Sequence, residues 1–209
     1  MDTNQQILLS IIEQKPADRA GFDYWRTKIC ARMKVPQPPN RALLFAYQTL
    51  IKSNSLPRHQ AIEPFLKKAE VRSLSGIAVV TSLVKPYACP GKCVYCPTEV
   101  RMPKSYIASE PAAARALRLD FNPYEQMRRR IQMLEGNGHP TDKIEYIVKG
   151  GTWNAYPLKY QYWFILESFR AVNSLKHKNI KSLNRCLTEN SPLEDLQAAL
   201  EKEQRKNER

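Results

Sequence analysis

Three cysteines within eight residues, Cys89, Cys93 and Cys96, constrain this chain more than any other feature of it. They close the stretch SGIAVVTSLVKPYACPGKCVYCP (residues 75–97), where a short apolar run ends in sulfur at gaps of three and two residues. Thiolates hold soft metals, and a loop that presents three of them on one side has to fold back on itself. Pro90 and Gly91 supply that reversal, proline by pre-setting a turn and glycine by tolerating positive φ. Three ligands leave a four-iron cluster one short, so one iron stays open to a small molecule. A zinc site is the competing reading, with a fourth ligand from Cys30, Cys186 or one of His59, His139 and His177. A disulfide framework fits less well, because five cysteines are an odd count and no secretory pattern opens the chain.

The rest of the chain reads as an α/β protein behind a helical region. Leu8, Ile11 and Ile12, then Leu43, Leu44, Tyr47, Leu50 and Ile51 behind an Asn40 cap, then Ile62, Phe65, Leu66 and Ala69, have helical spacing, and the prolines of VPQPPN separate the first two sets. GIAVVTSLV (76–84) is too short for a helix of its own and reads as a buried parallel strand. A helix opening at Ser109-Glu110-Pro111 and another with Met127, Ile131 and Leu134 inward follow, the latter stopping at Gly136-Asn137-Gly138. Lys143 to Val148 forms a second strand ending in Gly150-Gly151-Thr152, and Tyr162, Ile165, Leu166, Phe169 and Val172 form the stripe of the next helix. HKNIKSLNRCLTEN reads as a basic loop with the start of a third strand as an open alternative, and Ser191-Pro192-Leu193-Glu194 as a capping box for a last helix. Strand, helix, strand, helix implies a right-handed βαβα unit. Ligands of such units lie at the carboxyl ends of the strands, where the cysteine loop and the Gly-Gly-Thr both fall.

The chain carries a formal net charge of +13, which points to a polyanionic partner such as nucleic acid. Residues 1–75 contribute 12 Lys and Arg against 6 Asp and Glu, so the excess leans to the N-terminal side. Lys67, Lys68 and Arg72 cluster near the end of that region, although such clusters are commonly solvated helix faces. No stretch approaches the roughly 20 apolar residues of a membrane span, and clustered cysteines suit the reducing cytoplasm.

The run CPGKCVYCP, with an aromatic just before the last cysteine, resembles the cluster-binding motif of radical S-adenosylmethionine (SAM) enzymes. Its context, SLSGIAVVTSLVKPYACP followed by KIEYIVKGGTWNAYP, is similar to the catalytic subunit of Elongator, the tRNA uridine(34) acetyltransferase family, over roughly residues 71–200. The resemblance implies a helical basic region at residues 1–74 that holds tRNA, then the first part of a radical SAM (β/α)6 partial barrel at 75–209. It implies a 4Fe-4S cluster on Cys89, Cys93 and Cys96, with SAM chelating the open iron and cleaved by an electron from the cluster to a 5′-deoxyadenosyl radical. Tyr95 is expected to pack against cluster or adenine.

Gly150 and Gly151 let the strand end approach a ligand without a Cβ clash, and the resemblance implies that the SAM amino group lies there. Thr152 stands where many relatives carry an acid. Lys143 aligns with a lysine the family uses to contact acetyl-CoA, although by residue type alone a lysine at a strand start is a solvent-facing edge residue. The implied reaction adds an acetyl-derived, carboxymethyl-type group to C5 of wobble uridine 34, from acetyl-CoA and with an electron donor that the sequence does not name. That base lies in a single-stranded loop and can be splayed out.

Two departures from the family pattern stand out. Cys96-Pro97-Thr98-Glu99 replaces the usual Cys-Pro-Gly-Gly, and two strands cannot complete a six-strand partial barrel. The chain is therefore expected to be a fragment that lacks the acetyltransferase domain, has the missing C-terminal portion of the same enzyme as its partner, and does not turn over alone. A non-catalytic zinc or iron-sulfur module for nucleic acid is the alternative.

Overall fold

The computed structural model describes residues 1–67, 73–176 and 187–207. The expected Lys68, Ala69 and Arg72 of the basic cluster and third stripe, and His177 and Cys186, lie outside the described residues. Those described form a mixed helix and strand protein, in the order α1 (Thr3–Glu13), α2 (Arg19–Met33), α3 (Asn40–Lys52), α4 (Glu63–Leu66), β1 (Ala78–Leu83), α5 (Pro111–Arg118), α6 (Pro123–Gly136), β2 (Ile144–Lys149), α7 (Leu158–Lys176) and α8 (Leu193–Arg205). No helix among them is long and apolar enough to cross a membrane.

The chain divides into two compact units, Met1–Ala78 with Gln132–Lys143, and Val79–Ile131 with Ile144–Arg209. In the first, α1, α2 and α3 bury Leu8, Ile11, Phe22, Leu43 and Tyr47 in one core, because each helix carries an apolar stripe that must leave water. Asn40 does not cap α3. Pro39 holds that position, and the Asn40 amide instead accepts from Arg26 at 2.7 Å and donates to the Phe65 carbonyl at 3.1 Å, joining α2 and α4 to α3. His139, one of the candidate fourth zinc ligands, is 5% exposed, with Nδ1 2.9 Å from the Ser73 hydroxyl. Cys30 lies in the same core at 1% exposure.

The two strands pair in parallel. Ala78 N–H donates to the Lys143 carbonyl at one end and Val84 N–H to the Lys149 carbonyl at the other, so both advance together. In the second unit the end of β1 is fixed by Gln126, 6% exposed on α6. Its amide accepts from Leu83 N–H and donates to Leu83 C=O, both at 2.9 Å, satisfying two buried backbone groups with one side chain. The expected stripe of α7 faces α8, where Tyr162, Ile165, Leu166 and Phe169 pack on Leu196 and Leu200. A second face of α7, with Tyr160 and Phe164, packs with Val84 and Tyr156.

Candidate metal and cofactor site

The second unit carries the site where β1 ends. Val84 is 1% exposed and sits among Tyr156, Tyr160 and Phe164. The next residue, Lys85, is held at both backbone groups. Its N–H donates to the Tyr160 hydroxyl at 3.1 Å, and its carbonyl accepts from the Tyr156 hydroxyl at 2.7 Å. The Lys85 ammonium lies 4.9 Å over the Tyr160 ring and 2.6 Å from the Glu189 carboxylate. Burial raises both phenols, Tyr156 to about 12 with the nearby Cys89 adding to it, so both are protonated at neutral pH and free to hydrogen-bond. Two tyrosines, Tyr156 just before α7 and Tyr160 in its first turn, thus aim the chain four residues before the first cysteine. Tyr87 continues the arrangement, its ring 4.9 Å from that of Tyr156.

Beyond Tyr87 the loop is irregular and open, with Cys93, Val94 and Tyr95 exposed. Its three thiols are free. Cys89 Sγ lies 3.3 Å from the Thr152 hydroxyl, so the first cysteine meets the residue that follows Gly150-Gly151. That hydroxyl, then the Gly91 N–H, and more weakly the Lys104 charge, hold the Cys89 thiol below its usual range. Cys96 Sγ lies 3.1 Å from the Ser105 hydroxyl. A Cβ on Gly91 would sit 3.6 Å from both the Cys89 and the Cys93 sulfur, so those two flank a space that only glycine leaves empty. The thiols do not share a focus. Among the described residues, no three His, Cys, Asp or Glu side chains form a group that could hold a metal ion.

Gly150 and Gly151 form the tip of β2. A Cβ on Gly150 would strike Val84 Cγ2, and one on Gly151 would stand 3.5 Å from Lys104 Cβ. The tip is therefore wedged between the end of β1 and the returning loop. Thr98 and Glu99, which replace the two glycines of the usual pattern, tie that return. The Glu99 carboxylate accepts from Ala108 N–H and Arg101, each at 2.7 Å, and Lys104 donates to the Thr98 hydroxyl. The Ala108 and Arg101 bonds hold the Glu99 carboxyl below its usual range. A cavity of about 420 Å³ opens beside Cys89, lined by Tyr87, Gly91, Glu99, Met102 and Lys104.

Among the expected site residues, the fold thus brings Cys89 to the Gly150-Gly151-Thr152 tip. Cys93 and Cys96 stay on the same loop. Lys143 is exposed just before β2, its carbonyl paired with Ala78. Tyr156, Tyr160, Lys104 and Ser105 were not anticipated. The i, i+4 tyrosines of AYPLKYQYW were the one available signal.

No protein-family model matches the chain. A "tRNA uridine(34) acetyltransferase" of Methanocaldococcus infernus is 36% identical over 185 residues, 85% of this chain and 33% of that protein. The protein of the same name in Methanocaldococcus jannaschii is 44% identical over 124 residues, 56% of this chain and 23% of its own length. "Elongator complex protein 3" of Saccharomyces cerevisiae is 33% identical over 182 residues, 77% and 31% of the two chains. The chain spans about a third or less of the curated relatives it matches.

Proposed function

This chain is a partial relative of the tRNA uridine(34) acetyltransferases and of Elongator complex protein 3, and from that kinship we propose that it carries the cluster- and SAM-binding part of a tRNA-modifying acyltransferase. The observation that carries the reading is the meeting of Cys89 with Thr152 at the Gly150-Gly151 tip. In the radical SAM architecture that we propose for it, β1 and β2 are the first strands of a partial barrel, and this tip and loop lie at their carboxyl ends.

By residue type the donor set suits an iron-sulfur cluster, although the three sulfurs do not converge in this structure. Three free thiols lie on one open loop, the Thr152 hydroxyl and the Gly91 N–H hold the Cys89 thiol below its usual range, and Gly91 leaves space between two sulfurs. Cys89, Cys93 and Cys96 would hold it, with the fourth iron left for SAM. When bound, the cluster supplies the electron that cleaves SAM. The protein's own part is positioning. Tyr156 and Tyr160 anchor the loop entrance, Thr98 and Glu99 tie its exit, and the glycines admit the SAM amino group against backbone carbonyls, with Thr152 beside them. Acetyl-CoA as co-substrate, contacted through Lys143, and C5 of wobble uridine 34 as acceptor follow from the same kinship, as does tRNA binding by the basic N-terminal region.

Anaerobic reconstitution of the 209-residue chain with iron and sulfide tests the reading. The expected product is brown, with a broad visible charge-transfer absorption and about four irons and four sulfides per chain. Stoichiometric zinc that persists against excess iron would overturn it in favour of a nucleic-acid-binding zinc module.

A further inference from the structure

We propose that the first unit carries a nucleotide-binding cavity built from its own residues alone, in which Lys52 and Lys67 hold a phosphate while Gln48, Gln132 and Asp142 recognise base and sugar. The cavity measures about 770 Å³, within the range of small-molecule sites, and every residue lining it belongs to the first unit. One side is the end of α3, another the stretch from Arg58 to Lys67, and the third the end of α6 with the turn that follows. Leu44 and Tyr47, 5% and 2% exposed, supply apolar surface on which a planar base can lie.

The polar lining divides into two sets. Glu63 is engaged within the wall, accepting from the Tyr47 hydroxyl at 3.1 Å and pairing with Arg58 at 3.6 Å, and Glu135 accepts from the Thr141 hydroxyl at 2.7 Å. Lys52, Lys67 and Asp142 have no ion-pair partner among the described residues, and the side chains of Gln48 and Gln132 have no hydrogen-bond partner among them. Lys67 is also held in place. Gly138 has a φ of +85°, and a Cβ there would stand 3.0 Å from both Leu44 Cδ2 and Lys67 Cγ, so the turn packs directly on the lysine stem. His139, the next residue, uses Nδ1 on the Ser73 hydroxyl and has no second partner among the described residues, which leaves one ring nitrogen for a ligand.

This set suits a nucleotide better than a bare anion, which would meet the carboxylates with nothing to give them. Ammonium groups make charge-assisted bonds to phosphate, a carboxamide pairs as donor and acceptor with an adenine edge, and a carboxylate accepts from a ribose hydroxyl or an exocyclic amine. The inference does not depend on the cluster. Only the source of the nucleotide, free or part of an RNA, draws on the tRNA partner proposed above.

Calorimetric titration of the 209-residue chain with AMP tests this, with adenosine and inorganic phosphate as comparison ligands. AMP is expected to bind about tenfold more tightly than either. Lys67→Gln, which keeps most of the stem, should weaken AMP about tenfold and leave adenosine unchanged. Lys28→Gln, on an exposed position of α2 outside the cavity, should change neither. Competition with single-stranded oligoadenylate separates the sources: displacement of AMP assigns the cavity to a nucleotide of an RNA, and AMP retained at saturating oligoadenylate assigns it to a free nucleotide. No binding by the parent at about 10 mM AMP, or equal weakening by Lys28→Gln and Lys67→Gln, would overturn the inference. Iron plays no part in these titrations, so a failed cluster reconstitution would overturn the proposed function and leave this result standing.

Discussion

Gly150→Ala is expected to lower the melting temperature of the chain by about 4–8 °C, more than alanine at Gly91 or Gly151, where the added Cβ would meet only ordinary contacts. The new Cβ would land on Val84 Cγ2, 3.4 Å from Val84 Cβ and 3.7 Å from the Tyr156 hydroxyl. Val84 cannot yield, since it is 1% exposed among Tyr156, Tyr160 and Phe164. Overpacking of this kind costs about 1–3 kcal/mol. The strain falls on the tyrosine whose hydroxyl holds the Lys85 carbonyl, so the cysteine loop should lose its anchor as well. A double-mutant cycle with Val84→Ala isolates the cause. Truncating Val84 vacates the space the new methyl needs, and the combined loss should fall short of the sum by more than about 1 kcal/mol. Thermal melts of the four proteins measure this, and a Gly150→Ala chain that melts with the parent would contradict the packing at the tip.

Replacing all three of Cys89, Cys93 and Cys96 by alanine should do the opposite: leave stability within about 0.5 kcal/mol and remove all bound iron. None of the three belongs to a hydrophobic cluster, Cys93 is exposed, and the sulfur contacts of the other two are to exposed hydroxyl groups. The melting temperature and the iron content of the reconstituted triple variant check the two halves separately. A large fall in melting temperature would mean that the thiols serve the fold. Iron retained at the parental level would mean that the site lies elsewhere.

These effects differ because the site is built from two kinds of information, only one of which a linear sequence displays. The cysteine spacing, the Gly-Gly at a strand end and the apolar stripes are local patterns, and they located the loop, both strands and most helices to within a few residues. Contacts between distant residues were not legible. Tyr156 and Tyr160 reach Lys85 across more than 70 positions, and nothing in AYPLKYQYW says whether those hydroxyls meet solvent or a carbonyl. Polar side chains were the commonest surprise. Asn40 bridges helices instead of capping one, Gln126 is buried to serve the end of a strand, and His139 is buried against Ser73. At α8, Pro192 takes the cap position with no side-chain bond, while Ser191 accepts from Thr188 N–H. Residue type sets what such groups can bond, and tertiary structure chooses the partner. The stripe of α7 was legible on one side only, because Tyr160 and Ser168 on its other face look polar in sequence yet are 3% and 1% exposed.

One iron in the cysteine loop is expected to be left free for SAM beside Gly150 and Thr152. Electron paramagnetic resonance of the reconstituted, reduced chain, recorded with and without SAM, addresses that directly. The expected result is a four-iron signal whose shape changes when SAM is added and is restored when SAM is removed. A four-iron signal indifferent to saturating SAM would contradict it.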